Sequence, residues 1–533
     1  MLGWLEGVRF RCKTVEKTQA LFSKNINNNK DGLREGLLSD SSTWGAFPER
    51  SYSRLSAGGA SGAEPVGRAV RVDVPTALSD RSRRIVLDLL RDVLQFIGSD
   101  DGATFAYYLY YIYCFNYWKK KNLPTLNPRF PVGDLGLAAW GKESLFIRLQ
   151  NIYNEIKSNG HKHGGLYFFN GPIYFPVHPE MVKRVLVSDF DHFVDRGMYE
   201  NSHKVPLSSH IFSMRGDQWR SIRTKMSPTF TSGKMKSMYN IVVKYCDNLV
   251  KVLEPLDGNE VDVKDVFRRF TCDIVGSTSF GIDCNSLNYP DTEFVRMVER
   301  IFAHSVWKLL KVAFEEGLQN PGNIIKISHS DKTVEQYFTN LVKETVEYRD
   351  KNNVVRDDFL NILIQLRDRE GMSFKEIVAQ SFLFFTAGFE TSSLTLSYCI
   401  HELAHNQEIQ DSARKEIAEK LGRDSSKYCY EDVLSLPCLD KMVKETLRKY
   451  PPAAMLNRIC VKQYHIPDTD TVIEEGTPVV ISLLGLQRDP EYFPDPLKFD
   501  PERFGTSNNI TPYTYLPFGD GPRNCIGVHF QIF

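Results

Sequence analysis

A bias of charge is the first thing missing: 66 Lys and Arg face 66 Asp and Glu, for a formal net charge of +0. Without a basic excess the chain lacks the electrostatic footprint of a nucleic-acid binder, and nucleic acid drops out as a partner. Paired cysteines are missing too. The ten cysteines are scattered, with no Cys-x-x-Cys and no zinc-finger spacing to histidine, so neither a structural zinc site nor a disulfide framework is indicated. Thiols dispersed in this way suit a reducing, cytosol-facing compartment. No secretory signal with a cleavage site opens the sequence. Nor does any apolar run reach the roughly 20 residues needed to cross a bilayer core. The nearest, Ala103 to Trp118, is rich in tyrosine and is followed by Lys119-Lys120-Lys121. Tyrosine-rich segments favour the membrane interface. This one reads either as a core or interfacial helix, or as a shortened anchor with its lysines on the cytosolic side.

What is present is a globular composition, with 533 residues, 42% hydrophobic and 12% aromatic, enough for one large core or several ordinary ones. Residues 1–102 stand apart. Asn27-Asn28-Asn29 and the Ser56–Ala63 stretch are low in complexity, and one short helix is expected over Arg84–Ile97. Glu6, Glu16, Asp31 and Glu35 argue against a mitochondrial presequence. This extension is expected to be disordered or an artefact of how the reading frame was assembled. Residues 103–121 form the shortened anchor, and 122–533 the body of the protein.

The body begins with a hairpin. Leu166–Phe169 and Ile173–Phe175 flank Asn170-Gly171, a strong turn signal, and Pro172 predicts an edge strand. A helix follows from Pro179 to Val187. From there the pattern is mainly helical until short strands return near Val472–Leu484. Ser373-x-x-Glu376 is a capping box that opens a long helix, apolar nearly all round, running to about Ala404. Gln380, Glu390 and Thr391-Ser392-Ser393 inside it make a membrane span costly, so a core helix is expected.

The stretch Leu516-Pro517-Phe518-Gly519-Asp520-Gly521-Pro522-Arg523-Asn524-Cys525-Ile526-Gly527 delivers one cysteine on a Gly- and Pro-punctuated loop. Gly519, Gly521 and Gly527 permit positive φ or close backbone approach. Backbone N–H groups and Arg523 would favour a thiolate. A single thiolate without a cysteine partner suits an iron already held by a macrocycle. A buried, inert cysteine is the plain alternative. Trp219 and Arg223 share a helix face, ordinarily a packing and cation–π pair. Ala387-Gly388-Phe389-Glu390-Thr391 places a glycine and an acid–alcohol pair inside an apolar helix, where Thr391 would ordinarily bond back to the i−4 carbonyl. Glu445 and Arg448, three apart, would ordinarily be a surface pair of little worth.

Taken together these motifs resemble the cytochrome P450 monooxygenases: W-x-x-x-R at Trp219 and Arg223, A-G-x-E-T at 387–391, E-x-x-R at Glu445 and Arg448, Pro501-Glu502-Arg503-Phe504, and F-x-x-G-x-R-x-C-x-G from Phe518 to Gly527. The finer text, including Ser227–Lys236 and Phe384–Ser393, is similar to insect microsomal detoxification members. The resemblance runs from about Phe115 to the end. It implies a mainly α, triangular, helix-rich single domain with small β-sheets. It further implies haem b (iron protoporphyrin IX), with Cys525 as the iron ligand. Trp219, Arg223, Arg458 and Arg523 would meet the haem propionates, and Phe518 and Gly527 would frame the cysteine. Gly388 beside Ala387 would leave room for dioxygen, with Thr391 and Glu390 supplying protons. Glu445, Arg448 and Arg503 would form a structural triad.

The implied activity inserts one oxygen atom of O2 into lipophilic small molecules. Electrons would come from NADPH–cytochrome P450 reductase, with cytochrome b5 as a further partner, at an endoplasmic-reticulum membrane with the catalytic domain facing the cytosol. Arg220 and Lys225 are candidates for reductase docking. The pocket is expected from 195–215, 280–330, 382–391 and 452–456. Two other readings stay open: a haem-thiolate isomerase or dehydratase acting on peroxides, which Thr391 disfavours, and a non-catalytic remnant. Gln487 stands where this branch commonly has histidine, with little effect expected. The sequence stops eight residues after Cys525, where the family continues with a helix and a hairpin. That predicts a haem-poor chain whose Phe382–Phe385 and Leu447 lack cover.

Overall fold

The computed structural model describes residues 100–198, 206–256, 259–302, 332–422, 428–506 and 508–528. The expected helix at Arg84–Ile97 lies outside them. By internal contacts, the described residues from Tyr110 onward belong to one compact unit, and Lys17–Leu109 to a second. The second contributes only the first part of helix α1 to the described residues.

The helices in chain order are α1 (Asp100–Cys114), α2 (Tyr117–Lys120), α3 (Leu145–Ser158), α4 (Pro179–Lys183), α5 (Gly216–Met226), α6 (Ser232–Leu253), α7 (Val263–Phe280), α8 (Glu293–Phe302), α9 (Lys332–Asn352), α10 (Phe359–Glu370), α11 (Phe374–His405), α12 (Gln407–Lys420), α13 (Tyr430–Leu434), α14 (Pro437–Lys449) and α15 (Leu483–Gln487). The strands are β1 (His163–Phe168), β2 (Gly171–Pro176), β3 (Met455–Ile459), β4 (Tyr464–His465), β5 (Val472–Ile473) and β6 (Pro478–Ser482). They form a sheet in the order β1-β2-β6-β3 and a small β4-β5 pair. The mainly helical fold class with small sheets is as the sequence predicts.

The hairpin differs in two respects. Phe168 pairs with Gly171, so the loop is Phe169-Asn170, one residue earlier than expected, with Phe169 at φ +52°. Strand β2 is also not an edge. It is flanked by β6, but their registered pair is Tyr174 with Val479, two residues beyond Pro172. The proline, which has no N–H to give, is thus kept off that contact.

α11 runs through the core, and α7 packs along it. Its capping box forms as read: Ser373 Oγ accepts from Glu376 N while a Glu376 carboxylate oxygen accepts from Ser373 N at 2.8 Å. Phe385 is fully buried against Phe280, Phe294, Phe338 and Phe389. Leu447 is buried as well. Aromatic side chains from α7, α8 and α9 surround Phe385, whereas Phe382, Leu383 and Phe384 are only partly buried.

Among the described residues no helix is long and apolar enough to cross a membrane. The far end of the tyrosine-rich segment turns inward instead. Trp118 is fully buried, donates from Nε1 to the Leu166 carbonyl at 3.1 Å, and lies so close to Gly165 that a Cβ there would meet the indole at 2.3 Å.

Candidate active site

The cysteine loop is closed by its own backbone. Cys525 N donates to Phe518 O at 2.8 Å, Asn524 N to Gly521 O at 3.0 Å, and Gly519 N to Leu516 O at 2.9 Å. Gly519 (φ +69°) and Gly521 (φ +72°) take the left-handed conformation the spacing predicts. Gly527 does not: its φ is not positive, and a Cβ there would meet nothing within 4 Å.

Four guanidiniums gather behind this loop. Arg523 lies over Trp219, its Cζ 4.3 Å from the ring centroid, and donates to Met214 O at 2.6 Å. Arg223 grips Asn524, donating to its carbonyl at 2.9 Å and its side-chain oxygen at 2.7 Å. Trp219 and Arg223 are therefore brought to the cysteine loop, the first through Arg523 and the second through Asn524. Arg458 is buried on β3 and donates to Asn457 O.

Arg196 was missed by the sequence reading, and it donates to Arg523 O at 2.8 Å. Its segment is pinned to β3, where Ile459 N donates to Asp195 O at 2.7 Å. Gly197 (φ +70°) turns the chain so tightly that a Cβ would strike Ile459 at 2.5 Å. The turn glycine was the one local sign available.

Among the described residues the charges here do not balance. Asp195 reaches the group from 3.6 Å to Arg523 and also accepts from Gly216 N, the start of α5. Burial first, and then the neighbouring cations, push Arg196, Arg458 and Arg523 each down to about 9, and Arg223 also falls through burial. Among the described residues the Nε atoms of Arg458 and Arg523 are buried with no acceptor. Buried cations with unused donors need an anion, and guanidiniums match carboxylates two bonds at a time. The donor set fits a group that carries two carboxylates, such as the propionates of a haem.

The Cys525 thiol itself is pushed up from its ordinary range by burial, while the Gly527 N–H, Arg196 and Arg223 pull it down. The sequence predicts that pull from backbone N–H groups and Arg523, and the backbone part is the Gly527 N–H. Arg523 instead spends its charge on Trp219, Met214 and Asp195, so the assignment shifts to the other two arginines.

On α11, Ala387 is exposed although the helix runs through the core, and Gly388 beside it is only half-buried. Thr391 Oγ donates to Ala387 O at 2.6 Å, the back-bond expected of a helical threonine. Glu390 points toward α7, 3.5 Å from Lys264 and 3.6 Å from Arg268. α7 also braces the backbone here, since Thr271 Oγ donates to Phe389 O at 3.1 Å.

Glu445 and Arg448 are fully buried, joined by bonds of 2.7 and 2.8 Å, with Arg503 at 3.5 Å. The triad forms. Arg220 and Lys225 are already engaged, Arg220 with Asp191 at 2.7 Å and Lys225 with the Glu370 carbonyl at 3.3 Å. They are not free cations. Parts of the expected pocket, at 199–205 and 303–330, lie outside the described residues.

Comparison with known proteins agrees with this geometry. The family model Cytochrome P450 matches residues 137–531. The chain is 38% identical over 431 residues to probable cytochrome P450 6a23 of Drosophila melanogaster, covering 78% of this chain and 85% of that protein. It is 36% identical to cytochrome P450 6a2 of the same fly over 78% of this chain and 86% of the relative. Against cytochrome P450 6A1 of Musca domestica it is 37% identical over 80% of this chain and 87% of the relative. The chain belongs to the cytochrome P450 family and is a haem-iron monooxygenase similar to insect members of the detoxification type.

Proposed function

We propose that this enzyme carries haem b, takes electrons from NADPH through cytochrome P450 reductase, and oxygenates lipophilic small molecules at an endoplasmic-reticulum membrane. The observation that carries this reading is the juxtaposition of Cys525 with buried guanidinium donors left without acceptors. Bound there, the haem supplies electron transfer and dioxygen activation.

The chain's own residues do the rest. Cys525 offers the axial thiolate, with Arg196 and Arg223 favouring its charge. Arg196, Arg223, Arg458 and Arg523 would hold the propionates, and Trp219 backs Arg523. Ala387 and Gly388 keep one stretch of α11 free of bulk. Thr391 would give up its bond to Ala387 O to hold and pass a proton at Oγ1, and Glu390, held between Lys264 and Arg268, would resupply it. Leu456, against Gly519 of the cysteine loop, contributes an apolar wall that selects by shape. The exposed Tyr110, Ile112 and Tyr113 next to Lys119–Lys121 suit contact with a membrane interface. Cytochrome b5 serves as a second electron donor.

The test is the carbon monoxide spectrum of the reduced full chain, where a thiolate ligand gives a red-shifted Soret band. Cys525→Ala is expected to abolish that band. A variant that kept it would remove Cys525 from the iron.

A further inference from the structure

Gln487 ends α15, is fully buried, and uses its amide at both ends. Nε2 donates to Leu447 O and Arg448 O, each at 3.0 Å, and Oε1 accepts from Leu516 N at 2.9 Å. The two carbonyls lie in the last turn of α14, where no further helical N–H remains to meet them. Leu516 opens the stretch that carries Cys525. One side chain therefore joins the end of α14 to the start of the cysteine loop. The join is reciprocal, since Arg448 Nη1 donates to the Gln487 carbonyl at 2.8 Å. The Glu445–Arg448 pair, the Gln487 amide and Leu516 form a continuous strut.

We infer that Gln487 is a positioning residue for the iron ligand: its amide sets where Leu516, and with it the Cys525 loop, stands relative to α14. It touches neither cofactor nor substrate, and it acts through the Leu516 N–H. The inference rests on the reading of Cys525 as ligand.

The chemistry explains the choice of side chain. An amide carries two donors and an acceptor on one plane, which matches two carbonyls and an N–H. Leucine offers none of these. Asparagine has the same groups one methylene shorter and cannot span the gap. A neutral imidazole supplies one donor and one acceptor, enough to keep the link to Leu516.

The test compares the full chain with Gln487→Leu, Gln487→Asn and Gln487→His by amide hydrogen exchange and by the carbon monoxide spectrum of the haem-loaded, reduced protein. In Gln487→Leu and Gln487→Asn, peptides covering 516–525 are expected to exchange at least about tenfold faster while peptides from α7 and α11 are unchanged. The loaded protein is expected to lose a sizeable share of the thiolate band. Gln487→His is expected to retain most of both at neutral pH. Should Gln487→Leu fail to fold, Gln487→Asn and Gln487→His decide. Unchanged loop exchange with a full thiolate band would overturn the inference, as would a uniform rise in exchange along the whole chain, which marks a packing role alone. The exchange result does not depend on haem. A persisting band in Cys525→Ala would therefore sink the ligand assignment without touching the strut.

Discussion

Gly519 and Gly521 share a left-handed backbone, yet their surroundings ask different things of them. A Cβ on Gly519 would meet only the Leu456 methyls at 3.8 and 3.9 Å, whereas on Gly521 it would lie 2.0 Å from the Leu186 carbonyl oxygen. Gly519→Ala should therefore cost only the left-handed penalty, about 1–2 kcal/mol. Gly521→Ala must also displace backbone and should cost more, on the order of 3 kcal/mol or above. Thermal unfolding and haem retention of the two variants check the order. Residues of this kind were legible because a forced φ leaves a glycine in the sequence. Arg196 was not: what makes it functional is a carbonyl 327 positions away and cations on β3 and α5. Nothing local marks it except the glycine that follows. Gln487 was visible as a departure, but a buried amide shows its worth only when the groups at its two ends are known.

Within α11 the hydroxyls bend inward on their own helix. Thr391 bonds to Ala387 O, Thr395 to Thr391 O and Ser397 to Ser393 O. Such back-bonds contribute little to stability and are easily exchanged. Thr391→Ala is accordingly expected to shift unfolding by no more than about 1 kcal/mol. It should retain haem but divert NADPH electrons into hydrogen peroxide, because protons arrive badly placed. Coupling of NADPH to product, measured with added reductase, checks this; unchanged coupling would take Thr391 out of the mechanism. The helix was the most legible element, since its capping box and all-round apolar pattern are written in adjacent residues. Strand β3 was not read, because Met455-Leu456-Asn457-Arg458-Ile459 shows no clean alternation and is made a strand by pairing with β6. A different tertiary pairing, that of β2 with β6, moved β2 from the edge to the interior.

At the scale of the molecule, α14 is held to the 487–503 region by charge buried with nowhere else to go. Arg448 donates to Glu445, to Gln487 O and to Pro496 O, and Asp500 N donates to Glu445. Removing one member strands the other, so Glu445→Ala should cost about 3–5 kcal/mol. Arg220→Ala, at an exposed pair, should cost about 0–1 kcal/mol. Denaturant midpoints of the two variants check the contrast. The helical class and the order of the motifs were legible throughout, because each motif is local. Their convergence was not. That convergence has a consequence in time. Arg196 and Arg523 are 327 positions apart, and at roughly 5–20 residues per second a ribosome needs about 15–65 s to travel from one to the other. Throughout that interval the first cation has been made and the cysteine loop has not, so the cofactor can be captured only after Cys525 itself has emerged.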